Sequence, residues 1–231
     1  MGWRGTIGFF FLALLQLSAA AAPWYVGDDA LYASFSVSTG EVEGLKNIRS
    51  GIYAEYSLAP NWTLTSKVER VDFTDASDFN SDAWHSTLRR TFSLSDTIRL
   101  SLESGLLQGE AIGGFGGCRR LGVEARAGAA WSGKLRNVDT YSYFELAQRE
   151  HKGCSRTLME IGVGRQATRN LWLVSQVYIE EGGGLANSYK SQSGLLWKGQ
   201  VNEFIVGYRT EQGGEFREDA FFVSIARRFR L

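Results

Sequence analysis

The sequence predicts an all-β chain, closed into an antiparallel up-and-down barrel of about twelve strands; ten is the other count that the segments allow. Three observations predict it. Segments with strict period-two alternation recur roughly every 15 to 20 residues, and almost none has the i, i+3, i+4 rhythm of a helix. The chain holds 27 Gly but 2 Pro, with 13% aromatics, which suits ladders and tight turns because proline removes a ladder donor. The connections alternate between short and long, in phase, along the whole chain.

The N-terminus is set apart first. Arg4 is the charged residue within Met1 to Gly5, Ile7 to Leu17 form an apolar run, and Ser18 to Ala22 are small. That is the layout of a cleavable secretory signal over 1–21, leaving one domain over 22–231. The run is too short to cross a bilayer as a helix, and no later stretch approaches 18 apolar residues. The formal net charge is zero and no basic stripe occurs, which argues against a nucleic-acid partner.

The strands follow in order. Leu31, Ala33, Phe35 and Val37 alternate with Tyr32, Ser34, Ser36 and Ser38. Ile52, Ala54 and Tyr56 oppose Tyr53 and Glu55; Trp62, Leu64 and Val68 oppose Thr63, Lys67 and Glu69. Trp84, Leu88 and Phe92 oppose His85 and Arg89; Ile98, Leu100 and Leu102 oppose Arg99 and Glu103. Leu121, Val123 and Trp131 oppose Arg120, Glu124 and Arg126, and Phe144 and Leu146 oppose Glu145 and Arg149. Met159, Ile161 and Val163 oppose Arg156 and Glu160. Around Leu171 to Glu180 both faces are apolar and the parity stays open. Tyr189, Leu195 and Trp197 oppose Lys190 and Gln192; Phe204, Val206 and Tyr208 oppose Glu203, Arg209 and Glu211. The last strand sets Phe221, Val223, Ile225 and Phe229 against Phe222, Ser224 and Ala226.

A chain that ends on such a strand behind an export signal resembles the Gram-negative outer-membrane β-barrels, although Leu231 replaces the usual terminal aromatic. The resemblance implies an outer-membrane location, contact with lipid and lipopolysaccharide, and recognition of the C-terminal strand by the barrel-assembly machinery. The connections fit it. Those at Ala59 to Asn61, Ser93 to Asp96, Ala167 to Asn170 and Lys198 to Gln200 are tight, as expected of periplasmic turns. Gly40 to Ile48, Asp72 to Ala83, Gln108 to Gly117, Glu181 to Asn187 and Gln212 to Glu218 read as outside loops, with Ser132 to Val138 a periplasmic turn of moderate length. Aromatics mark both interfaces: Trp62, Phe92, Trp131, Trp197 and Phe229 at the short-turn end, Trp84, Tyr189 and Phe221 at the other. The competing fold is a soluble periplasmic β-barrel binding protein, in which the apolar parity would face inward.

With lipid on the apolar face, the lumen receives Glu55, Lys67, Glu69, Arg89, Arg99, Glu103, Arg120, Glu124, Arg126, Glu145, Arg149, Arg156, Glu160, Glu203, Arg209 and Glu211. Both signs interleave, as a lattice of ion pairs or the wall of a narrow pore for small polar solutes requires. Surface hydrolysis or acyl transfer needs a nucleophile beside a base. His85 and His151 are the two histidines, at the rim and in a loop, and neither stands in a motif of that chemistry. A surface enzyme acting on lipid or envelope polymer through rim residues near His85 is the alternative function. Histidine and cysteine are too sparse for a metal site, no cofactor motif occurs, and the Gly runs lack the ending of a phosphate loop. Cys118 and Cys154, in an exported chain and both at the outside end, are the candidate disulfide. The sequence names no protein partner.

Overall fold

A computed structural model describes residues 30–109, 120–182, 187–213 and 216–230. The signal segment, Cys118 and the tips of three connections lie outside these residues. Twelve strands run β1 Ala30–Val42, β2 Leu45–Ala59, β3 Trp62–Phe73, β4 Ser81–Ser93, β5 Ile98–Gly109, β6 Gly122–Leu135, β7 Val138–His151, β8 Cys154–Thr168, β9 Leu171–Gly182, β10 Ser188–Lys198, β11 Asn202–Gly213 and β12 Phe216–Arg230. A 3-10 turn over Ser77–Phe79 sits between β3 and β4. Each strand pairs antiparallel with the next, and β12 pairs back onto β1 along its length, from Ala30 opposite Arg230 to Val42 opposite Glu218. Closure leaves no edge, so every strand has ladder partners on both sides. The expected twelve strands and their order are those found.

The two faces of each strand differ as lipid and lumen differ. Ile52, Val68, Leu102 and Val223 point outward, each more than half exposed, within a continuous apolar belt. Water would make a belt of this extent unstable as a monomer surface, whereas hydrocarbon accepts it. Inward, Glu55, Arg89, Glu103, Glu124 and Arg209 are buried. The soluble-barrel alternative, with its apolar parity inside, is therefore excluded by where these side chains point.

Two connections are tighter than composition suggested. Glu43 and Gly44 both have positive φ, 47° and 81°, and form a two-residue turn between β1 and β2. Arg136 and Asn137, at 53° and 62°, do the same between β6 and β7. Paired positive φ twists the turn in the sense of the flanking strands, so pairing continues to the last residue. The span Gly40 to Ile48 is thus mostly strand, and so is Ser132 to Val138. His151 likewise is the final residue of β7 rather than part of a loop.

Candidate functional site

The lumen is built from short-range choices made strand by strand. A charged side chain on inward parity is withdrawn from bulk water and must find a partner of opposite sign. The register brings such partners together in three groups. In the first, Arg89 of β4 reaches Glu55 of β2 at 2.9 Å through Nη1 and Glu103 of β5 at 2.7 Å through Nε. Tyr53 donates to Glu55 and Thr87 to Glu103, so each carboxylate accepts a hydroxyl as well as the guanidinium.

The second group crosses four strands. Arg126 lies 3.0 Å from Glu124, 2.5 Å from Glu145 and 3.6 Å from Glu160. Arg149 continues the chain from Glu124 at 2.6 Å to Glu180 at 3.2 Å, and Arg156 also meets Glu180, at 3.3 Å. The Tyr143 hydroxyl donates to Glu160 at 2.6 Å and accepts from the Gln176 amide. The third group bridges the closing seam. Arg49 of β2 sits 3.3 Å from Glu218 of β12 and 3.7 Å from Glu211 of β11, while Arg209 bonds Glu218 at 3.2 Å and Ser38 of β1 at 3.1 Å. Lys67 and Glu69 pair separately at 2.9 Å.

Between these groups lies a cavity of about 430 Å3 whose wall includes Lys67, His85, Arg126, Glu160, Tyr178 and Lys190. Lys190 Nζ stands 4.3 Å from the centre of the Tyr178 ring. Toward the turn end the lumen becomes aromatic. Tyr32 packs edge-on to Tyr53 at 6.4 Å, and Tyr141 lies 5.9 Å from Trp172, over which Lys198 places its ammonium. The rings of Tyr143 and Tyr141 lie over Gly162 and Gly164 of β8, where an added Cβ would come within 2.0 and 2.1 Å of ring carbons. Only glycine admits rings there.

Most of the charged residues expected in the lumen are in these groups. Arg99 and Glu203 are inward and half-buried near the turn end, with Glu203 opposite Lys198 in the register. Arg120 is a correction: it lies in the bend before β6 and is exposed, and its carbonyl is 2.7 Å from Nδ1 of His151. Strand pairing of β6 begins at Gly122, so the alternation that put Arg120 inside does not reach it. Arg49, Glu180 and Glu218 were missed. Arg49 and Glu218 bordered segments read as loops, and Glu180 fell in the strand of open parity; in each case inward parity counted from the strand centre is the signal that finds them.

The aromatics expected at the interfaces all sit on the outward face. Trp197 and Phe204 are 5.5 Å apart at the turn end, and Tyr208 and Phe221 are 5.2 Å apart at the loop end. Trp62, Phe92, Trp131 and Phe229 continue the lower girdle, with Trp84 and Tyr189 in the upper one. His85 lines the cavity. Among the described residues neither histidine hydrogen-bonds a serine hydroxyl or a carboxylate, and no group of His, Cys, Asp and Glu is arranged to hold a metal. Cys154 opens β8; its expected partner, Cys118, is outside the described residues.

No family model and no curated protein sequence matches the chain. Solved structures do. The KdgM porin is similar with a TM-score of 0.60 at 7% identity, over 84% of this chain and 98% of that one. The NanC porin gives 0.58 at 7% identity over the same shares. An outer membrane channel from Pseudomonas putida F1 gives 0.52 at 10% identity, over 87% and 94%. The KdgM porin has also been solved in complex with disordered oligogalacturonate, at a TM-score of 0.56 to this chain and 7% identity. Identities this low speak for the fold. That fold is the outer-membrane β-barrel, and the outward apolar belt of this chain is the surface such a barrel turns to lipid.

Proposed function

We propose that the chain is a narrow outer-membrane channel for small polar solutes, braced by ion pairs and without catalysis. The observation that carries this reading is the polar cavity of about 430 Å3 enclosed by the barrel wall, lined by charges of both signs. Flow through it would be weakly selective, because selective filters present rings of one sign. The porin fold of the neighbours supports passage as the role. The oligogalacturonate held by the KdgM porin is a polyanion, and the mixed lining here favours neutral and charged solutes alike.

Planar-bilayer recording tests the reading. Small unitary currents with similar cation and anion permeability are expected, and truncating one brace with Arg126→Ser and Glu145→Ser together should enlarge them. Silence from both proteins would sink the channel and leave a purely structural barrel. Four finer expectations accompany it. Removal of 1–21 on export is checked by intact mass. A Cys118–Cys154 bond, which the absence of any free described cysteine supports, is checked by alkylation with and without reductant. Engagement of the assembly machinery by β12 is checked by crosslinking at Phe229, and lipopolysaccharide contact by co-purification.

A further inference from the structure

The charges outside the barrel are sorted by height. At the end where β1 starts and β12 finishes, Lys134, Arg136, Arg165, Arg169, Arg227 and Arg230 are exposed. Among the described residues a single exposed carboxylate, Asp96, shares that end with them. At the opposite end both signs are exposed: carboxylates such as Glu41, Glu43, Asp75, Asp78, Glu150 and Glu181 outnumber cations such as Lys46, Arg120 and Lys152 among the described residues. The formal charge of zero conceals this separation.

The cations at the two ends are also held differently. At the loop end Arg70 pairs with Asp72 at 2.9 Å and Arg217 with Asp219 at 3.1 Å. At the turn end Arg90 lies over aromatic rings, 5.0 Å from the centre of Trp62 and 5.7 Å from that of Phe92, and Arg227 lies 5.1 Å from Phe229. Neither has a carboxylate at ion-pair distance among the described residues. A ring beneath a guanidinium satisfies its face and leaves its edge N–H groups to donate. These rings belong to the lower aromatic girdle, the depth at which lipid headgroups begin.

We propose that this ring-backed cationic rim binds the phosphodiester headgroups of anionic phospholipid in the leaflet surrounding the turn end. The planar fork of arginine matches two phosphate oxygens, and the surplus of positive charge favours lipids of net negative charge. The paired, acidic loop end offers neither feature.

The test uses the full mature chain refolded in detergent, with bound lipid read by native mass spectrometry. Phosphatidylglycerol should be retained in preference to phosphatidylcholine, and inorganic phosphate at equal concentration should not displace it. Arg90→Gln with Arg227→Gln should lower that retention roughly 25-fold, about fivefold for each arginine near the surface. Arg70→Gln with Arg217→Gln at the loop end should leave it unchanged. Equal retention of phosphatidylcholine, displacement by free phosphate, or equal losses in both double variants would overturn the assignment. Should the turn-end pair not refold, the wild-type chain decides alone: its lipid preference should weaken as salt rises, and a salt-independent preference rejects the proposal.

Discussion

Arg126 and Arg90 carry the same side chain on opposite faces of neighbouring parts of one barrel. Arg126 points inward and touches three carboxylates; Arg90 points outward and rests on two aromatic rings. The difference teaches how the fold handles charge near a membrane. Inside, an arginine is tolerated because counter-charges are fixed within reach. Outside, Arg90 at the turn end rests on rings with no carboxylate in reach among the described residues, whereas Arg70 and Arg217 at the loop end keep carboxylate partners.

That contrast can be broken at several points, measured by urea unfolding from phospholipid vesicles. The largest effect is expected from Arg126→Leu, which takes from Glu145 its cation and from Glu124 and Glu160 one partner each, and should cost about 3–5 kcal/mol. A smaller loss is expected from Leu102→Arg on the outward belt, about 2–4 kcal/mol, since the new charge has no partner in hydrocarbon. Unchanged stability there would mean that the outer face is wet. Gly162→Ala should cost about 1–3 kcal/mol by displacing the Tyr143 ring, a packing effect independent of charge. The smallest is Arg70→Gln, whose exposed pair with Asp72 should leave the midpoint unmoved.

Parity made much of this legible in the sequence. A period of two distinguishes the faces of a strand without knowing its neighbours, so residues such as Glu55, Arg126 and Glu145 are assigned inward from their own segments. Boundaries were harder. Gly40 to Ile48 is rich in Gly and Glu, which reads as loop, yet it is strand up to the two-residue turn at Glu43 and Gly44. Strands that extend beyond the apolar belt no longer need apolar residues on the outward face, so the alternation fades while the ladder continues. That is why Arg49 and Glu218 escaped, and why Arg120 was carried inside from the other direction. Which carboxylate meets which arginine depends on stagger between strands, and no single segment encodes that.

Arg49 and Glu218 lie 169 residues apart in the chain and meet only across the closing seam. Early in the sequence, then, stands a cation whose permanent counter-ion is synthesised almost last. An unfinished sheet must keep that guanidinium hydrated, and drying of the interior on that side waits until the ends of the ribbon join. Completion of the cylinder is thereby felt by side chains as well as by backbone, and a chain cut short before its final hairpin would keep a wet, unsettled flank.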